Sequence, residues 1–574
     1  MVRKYLPYLK KYKWYAIGAP LFMIAEVLVD VFIPAIMEDL VNVGISSRNV
    51  EYVVQKGLLM MAVAVFGMLV GTLSAFFGSK AGYGGAAELR RAAYRSVQGY
   101  SFSNLDAISV PSLITRLTTD ADTVGMVTMM SLRMAFRSPF MLIFSLYFAF
   151  RINTELAMTF FFVLPVGAVL IYLIFRKAMP YFNIQRQRID DMNAVVQEQL
   201  SGIRIIKAFN RQELGEKRFS KKNDAFRETA LKSIRIISHM NPLMTVMIYA
   251  CMILVLWFGG IRIFNGTLEA GTIIALLSYV MQILISLMMA SMYLINLVYG
   301  LASLRRMMEV VDTKSEITEK ENALTELEDG SIRFENVSFK YEGYRDNILD
   351  NISLTISSGQ HVGIVGSTGS SKSTLVQMIP RLYDVNEGAV SVGNHNVKEY
   401  SIHALRQQIG FVLQKNSLFS GTIRSNMQWG NADATDEEII HALKQAQAWE
   451  FVSQYEDPLG YGVEQGGSNF SGGQKQRLTI ARALLGKHKI LILDDSTSAV
   501  DMTTDALIRK MFETDLAGVT TVLIAQRIES VKDCDQIFVM ERGKIESFGT
   551  HDYLLQNSEI YREIYESQAG GLGE

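Results

Sequence analysis

Two cysteines in 574 residues, Cys251 in an apolar run and Cys534 in a polar one, are too few for a disulfide framework or a thiolate metal cluster. Such sparse use suits domains that face the cytosol. Net charge is nearly absent as well. The 56 basic side chains against 57 acidic ones leave −1, so the balance gives no support to a nucleic-acid or other polyanionic partner. A cleavable leader is missing too: 1–13 is basic but lacks a short apolar stretch ending in a small-residue cleavage site. The segment reads as a cytosolic lead-in to a retained helix.

What is present is hydrophobicity, unevenly spread. Mean hydropathy is +0.17 over the whole chain, yet the residues after 330 read as a soluble α/β domain. The first 312 are therefore far more apolar than the mean. Crossing the hydrocarbon takes about 20 mostly apolar residues as a helix. Six stretches qualify, near 14–37, 57–78, 131–150, 156–175, 243–264 and 272–298. Six buried helices of a large soluble protein would not need such lengths with so few charges.

Orientation follows from the basic residues. Lys80, Arg90, Arg91, Arg95 and Arg116 lie between spans two and three, and Arg176, Lys177, Arg186, Arg188, Arg204, Lys207, Arg211 and Lys217 between spans four and five. The other connections carry few: Arg48 and Lys56, then Arg151, then Arg262. Both termini and the two long connections are placed in the cytoplasm, giving a multi-pass protein of the cell membrane. The long connections are charged, helical in spacing and poor in Gly and Pro, so the helices are expected to continue beyond the bilayer. Each is interrupted once, near 105–111 and near 210–215.

Glu26, Asp30, Arg133 and Arg137 fall inside spans, where ionisable groups face a cavity or each other unless they snorkel from a span end. Asp30 and Asp39 flank Pro34 near the outer end of the first span, where a helix is expected to break or bend. Carboxylates there would pair with neighbouring spans and hold an outer gate shut. The simpler alternative makes Asp39 a solvated loop residue and Asp30 part of a cavity lining. Methionines such as Met240, Met244, Met247, Met252, Met281, Met288, Met289 and Met292 suit a repacking apolar surface or plain filler between helices.

After a charged linker at 313–330, short β-like runs appear at 332–339, 361–365, 409–413, 490–493 and 521–525, the later ones alternating with helices. That pattern implies a largely parallel sheet. The run at 361–365 leads into Gly366-Ser367-Thr368-Gly369-Ser370-Ser371-Lys372-Ser373, with Thr374 opening an amphipathic helix. Strand, loop and helix in this order make a phosphate-binding loop. Backbone amides and the helix N-terminus cradle phosphates, Lys372 reaches the β/γ-phosphates and Ser373 ligates Mg²⁺. Ser371 stands where the usual residue is glycine, a cost if the backbone needs a glycine-only conformation. The strand at 490–493 ends in Asp494-Asp495, which puts a Mg²⁺-holding carboxylate at its C-terminal edge.

Between these two motifs lies Asn469-Phe470-Ser471-Gly472-Gly473-Gln474, directly before a helix carrying Lys475 and Arg477. With it the chain resembles, over its whole length, the ATP-binding-cassette (ABC) exporters whose membrane domain and ATPase share one chain. The resemblance implies a six-span all-α membrane domain at 1–312 with long cytoplasmic helix extensions, the 313–330 linker, and an α/β P-loop nucleotide-binding domain at 331–574. It implies ATP and Mg²⁺ as ligands, with Ser373, Gln414 and Asp494 around the metal. Tyr341 fits the aromatic that stacks on adenine, and Gln414 the glutamine that senses Mg²⁺ and touches the membrane domain. Ser471, Gly472, Gly473 and Gln474 fit the signature that completes the opposite chain's site. Glu464-Gln465-Gly466-Gly467 resembles the loop that meets the partner's coupling helices, Ser498-Ala499-Val500-Asp501 the loop crossing between cassettes, and Glu198, Gly202, Arg204, Lys207 and Phe209 the helix entering the second coupling turn.

Two catalytic positions depart from the family. Asp495 stands where the family has the Glu that orients or deprotonates the attacking water, and Gln526 where a His contacts the γ-phosphate. Together with Ser371 they imply a degenerate site beside an intact signature. That combination resembles one subunit of a heterodimeric bacterial exporter of hydrophobic or amphipathic compounds, multidrug in type, whose partner half carries the Glu and His. A lipid flippase on the same scaffold and a non-transporting ATP-gated regulator or channel are the alternatives. An importer is disfavoured by the order of the two domains, and a peptidase-coupled exporter by the start of the apolar segments at Trp14.

Overall fold

The structure is a computed structural model that describes residues 1–496 and 500–570. Its contacts divide the chain into two compact units, Met1–Gln98 with Pro111–Asp312, and Gly99–Val110 with Thr313–Glu574.

The first unit is helical. Among the described residues, six helices are long and apolar enough to cross a membrane: Arg3–Ile45, Val50–Gln98, Val110–Ile152, Thr154–Ser201, Gln212–Phe264 and Ala270–Asp312. Each contains one of the six apolar stretches. At 1.5 Å per residue, Val50–Gln98 is about 74 Å long, more than twice a hydrocarbon core of about 30 Å. The charged extensions therefore continue the spans without a break, as expected. Spans two and three pack backbone against backbone: a Cβ at Gly82 would lie 2.6 Å from the Gly125 carbonyl oxygen. Met244 and Met247 are buried against Leu170, Leu287 and Met288, which makes them packing residues.

The helix does not break at Pro34; it runs over Lys13–Asp39 and widens into a π-helical turn only at Leu40–Ile45. Proline has no N–H to give the carbonyl four residues back. That carbonyl, on Asp30, accepts instead from the Gln282 side-chain amide of the sixth span at 2.9 Å, and Ser145 of the third span donates to the Gln282 oxygen at 3.0 Å. A neighbouring span thus satisfies the orphaned acceptor, which a bilayer interior demands. The charges inside the spans meet each other. Arg137 Nη1 lies 2.5 Å from Glu26 and Nη2 2.8 Å from Asp30. Asp39 pairs with Lys56 at 2.8 Å in a more exposed position.

The turns between long helices sit earlier than expected and each holds a short helix. The first is Phe102–Ala107, started by a reciprocal Ser101–Asn104 capping box. Asn104 stands where such boxes usually carry Glu or Gln. The second is Ile203–Ala208, set off by Gly202; by Gln212 the next long helix has begun, so 212–215 are helical.

The second unit carries β1 (Ile332–Phe339), β2 (Leu349–Ile356), β3 (His361–Gly366), β4 (Glu387–Val392), β5 (His395–Asn396), β6 (Ile409–Val412), β7 (Gly421–Thr422), β8 (Gly462–Val463), β9 (Ile490–Asp494), β10 (Thr520–Ile524), β11 (Gln536–Glu541) and β12 (Lys544–Gly549). One sheet is ordered β2-β1-β4-β5 and antiparallel; the main sheet is ordered β12-β11-β3-β10-β9-β6. In the main sheet β11, β3, β10, β9 and β6 run parallel, with β12 antiparallel at the edge. β9 and β10 are buried at every position. Burial at every position is what a parallel strand covered on both faces shows.

Candidate functional site

Four adjacent parallel strands, β3, β10, β9 and β6, end beside one another, and within two residues of each C-terminus the chain carries chemistry. Open α/β sheets bind ligands at that edge. The phosphate loop follows β3, Gln526 follows β10, Asp494 ends β9 with Asp495 next, and Gln414 follows β6.

The loop turns out of β3 at Gly366, where φ is +153° and a Cβ would lie 2.1 Å from the Met540 carbonyl oxygen. Only glycine fits there. Ser371 caps helix Lys372–Gln377 in the left-handed region, φ +74° and ψ +21°. This conformation favours glycine, and the Cβ of Ser371 costs about 1 kcal/mol there. Lys372 Nζ donates to the carbonyls of Gly366 and Ser367, both at 2.9 Å, and to the Ser370 hydroxyl at 3.2 Å. Burial pulls its pKa below the usual lysine value, against the attraction of Asp495, Asp494 and Glu541. Ser367 Oγ donates to Glu541 at 2.9 Å, fixing the loop to β11. Thr368 and Gly369 complete the arch, with Gly369 at φ +86°.

Ser373 Oγ donates to Asp494 Oδ1 at 2.8 Å. Hydroxyl and carboxylate on one face are the oxygen pair Mg²⁺ takes at nucleotide sites. Burial raises the Asp494 pKa, the Ser373 bond lowers it, Asp495 raises it and Lys372 lowers it, leaving it above the ordinary aspartate value. A buried carboxylate held this way fits a divalent cation, which Ser373 and Asp494 would hold and whose charge would offset that of the phosphates.

Next to this pair the two departures from the family touch. Gln526 Nε2 donates to Asp495 Oδ2 at 2.7 Å, and Gln414 Nε2 reaches the same oxygen at 3.4 Å. The Asp495 main-chain oxygen accepts from Gln476 at 3.1 Å, and its backbone is left-handed, φ +49°. The structure therefore brings Gln414, Asp495 and Gln526 together around one carboxylate oxygen. Residue spacing carried no sign of that contact.

Tyr341 meets the first turn of the loop helix, its hydroxyl 3.0 Å from Thr374 Oγ1. Its ring meets Phe339 and Tyr383 edge-on, at centroid separations of 5.0 and 5.3 Å. Tyr383 was not anticipated from sequence. Its hydroxyl donates to Asp106 at 2.7 Å, in the segment that belongs with this unit.

The signature is a helix start. Ser471 caps helix Gly472–Leu484, its hydroxyl accepting from the Gln474 amide at 3.3 Å while the Gln474 side chain accepts from Ser471 N at 2.9 Å. The sequence Ser-Gly-Gly-Gln is thus a capping box that presents the first amides of a helix at an exposed end. Gly466 and Gly467 turn the preceding loop with positive φ, and Ser468 bonds back to Glu464 at 2.6 Å. Of the expected crossing loop, Ser498 and Ala499 lie outside the described residues; Asp501 caps helix Met502–Asp515 through the Thr504 amide.

Comparison with known proteins finds the ABC transporter transmembrane region family over 17–288 and the ABC transporter family over 349–498. An uncharacterized ABC transporter ATP-binding protein of Bacillus subtilis (strain 168), YfiB, is 33% identical over 100% of this chain and 99% of its own. The ATP-dependent lipid A-core flippase of Desulfotalea psychrophila is 30% identical over 80% of each chain. A solved structure of a bacterial Atm1-family ABC exporter with ATP bound superposes with a TM-score of 0.81, at 22% identity, over 97% of this chain and 98% of that one.

Proposed function

The chain belongs to the ABC transporter family, as an exporter with its ATPase cassette fused behind six membrane helices, and on that premise we propose that it is the weak-site half of a heterodimer. The reading places it in the cell membrane, cassette in the cytoplasm, exporting hydrophobic or amphipathic compounds. The observation that carries it is the bond from Gln526 to Asp495.

The residues act as follows. The amides of Gly366 to Ser373 and the Lys372 ammonium hold the β- and γ-phosphates of ATP, while Tyr341 stacks on adenine. Ser373, Asp494 and Gln414 hold the Mg²⁺. Asp495 is one methylene shorter than the family's Glu, and two side-chain amides engage one of its carboxylate oxygens. An offset of about 1 Å costs on the order of 10²-fold. Gln526 has no imidazole to place on the γ-phosphate and spends its amide on Asp495. This chain's site therefore binds ATP and turns it over poorly. The signature Ser471 to Gln474 is a sound helix terminus, suited to completing a site on a partner half that carries Glu and His.

Sealed vesicles containing the complex test the transport reading. A fluorescent amphipathic dye should accumulate only with hydrolysable ATP; passive flux opened by nucleotide binding would support a gated channel instead. A fluorescent phospholipid in the same vesicles is the flippase arm, which the name of the Desulfotalea relative motivates. Movement of the lipid without the dye would replace compound export by lipid flipping.

A further inference from the structure

The helix Glu559–Gly570 reaches the loop that follows β10 and carries Gln526. Tyr561, Ile564 and Gln568 recur at helical spacing and so share one face. Tyr561 is fully buried in the core that includes Ile528 and Val531, and Ile564 packs against that core. The His551 ring nitrogen Nδ1 lies 2.7 Å from the Tyr561 hydroxyl. Gln568 stands further along the same face and makes two bonds with one side-chain amide. Its nitrogen donates to the Gln526 carbonyl at 2.8 Å, and its oxygen accepts from the Ile528 amide at 2.9 Å. Arg527 between them is extended, at φ −97° and ψ 129°, so its two neighbours turn a carbonyl and an N–H to the same side. A primary amide offers the matching donor and acceptor, as the next strand of a parallel ladder would. The residue whose carbonyl is held this way is the one whose side chain donates to Asp495 Oδ2 at 2.7 Å.

We propose that Gln568 is a positioning residue that clamps 526–528 so that the Gln526 amide stays on Asp495, which keeps this chain's own ATP site slow. The inference rests on the weak-site reading above and adds a distant element to it, the helix Glu559–Gly570. Gln526 is held at two points, its carbonyl by Gln568 and its side-chain nitrogen by Asp495. A glutamine side chain has several rotatable bonds, so a fixed backbone is what limits where its amide can go. Without the clamp the loop regains freedom, and the Gln526 amide spends less time on Asp495. One donor fewer then competes with water for that carboxylate. The helix is thus a brake on hydrolysis, acting through one side chain.

Amide hydrogen exchange on the full-length chain in lipid nanodiscs tests the clamp. Gln568→Leu removes both donor and acceptor and should speed exchange at Ile528 about tenfold. Amides in 560–565 should keep their rates, because Tyr561 and Ile564 still anchor the helix. Gln568→Glu keeps the acceptor and should leave Ile528 within about twofold of the unmodified chain. Phosphate release tests the brake, in the complex whose partner half carries the Glu→Gln change, so that this chain's site is the one observed. There Gln568→Leu should raise kcat about fivefold, the equivalent of one ordinary hydrogen bond, with the KM for ATP within about twofold. Gln526→Ala should give the same rise, and the double variant no more. Unchanged exchange at Ile528 in Gln568→Leu, or exchange rising equally along 560–565, would overturn the clamp. An unchanged or lower kcat in that variant would overturn the brake. A kcat in that background equal to that of the intact complex, with Gln568 in place, would overturn the weak-site reading and the brake together.

Discussion

Ser471→Arg abolishes ATP hydrolysis by the complex, at least about 100-fold, while nucleotide binding at this chain's own phosphate loop stays near normal. Ser471 caps helix Gly472–Leu484 and its amide partner Gln474 closes the capping box. The start of that helix is a ready anion site, and it would lie against the γ-phosphate held by the other half. Losing one donor aimed at developing charge costs about 10²–10³-fold in rate. Arginine also adds bulk where the phosphate must approach. The cap itself is worth about 1 kcal/mol, too little to unfold a cassette, so Ser471→Ala serves as the folding control. Steady-state ATPase of the two variants, beside photolabelling of this chain by an azido-ATP, is the measurement. Near-normal turnover in Ser471→Arg would exclude the pairing of this signature with a partner's phosphate loop.

Arg137→Met is expected to lower the stability of the membrane unit by about 3–5 kcal/mol, the cost of stranding a buried charge. Arg137 bridges Glu26 at 2.5 Å and Asp30 at 2.8 Å, so its loss leaves two carboxylates inside the spans. Thermal unfolding in detergent should show a large drop, and adding Glu26→Gln with Asp30→Asn should restore most of it. The Asp39–Lys56 pair is more exposed and worth less than about 1 kcal/mol. That ranking bears on the outer gate. Spin-label distances across the outer end, without nucleotide, should respond to Asp30→Ala and hardly to Asp39→Ala. A full stability loss that the double neutralisation fails to rescue would show that Arg137 acts through packing and not through charge.

The six spans were legible because each apolar run is long and interrupted by few charges, and their order in the structure follows the sequence. The phosphate loop, Asp494 and the signature were legible because each is a short contiguous motif with one local conformation. The loop's strain was readable in advance from Ser371. Strands such as β2, β4 and β12 escaped notice, since their mixed polar and apolar residues acquire a pattern only against their neighbours. Pro34 misled because the acceptor it orphans is rescued by Gln282, 252 positions from Asp30. The contacts of Gln526 with Asp495 and of Tyr383 with Asp106 are equally non-local, 31 and 277 positions apart. Sequence named two of those four residues, Asp495 and Gln526, as catalytic positions, but the pairings exist only in three dimensions.

The proposed heterodimer makes the two ATP sites unequal, and one comparison tests that directly. Steady-state ATPase would be measured for the complex carrying Asp495→Asn, and separately for the complex with Glu→Gln at the matching position of the partner half. The first change should lower turnover by less than about threefold, because Asp495 is already held by Gln526 and contributes little. The second should lower it by at least about 100-fold, as loss of a catalytic carboxylate does. Equal losses from the two changes would contradict the account.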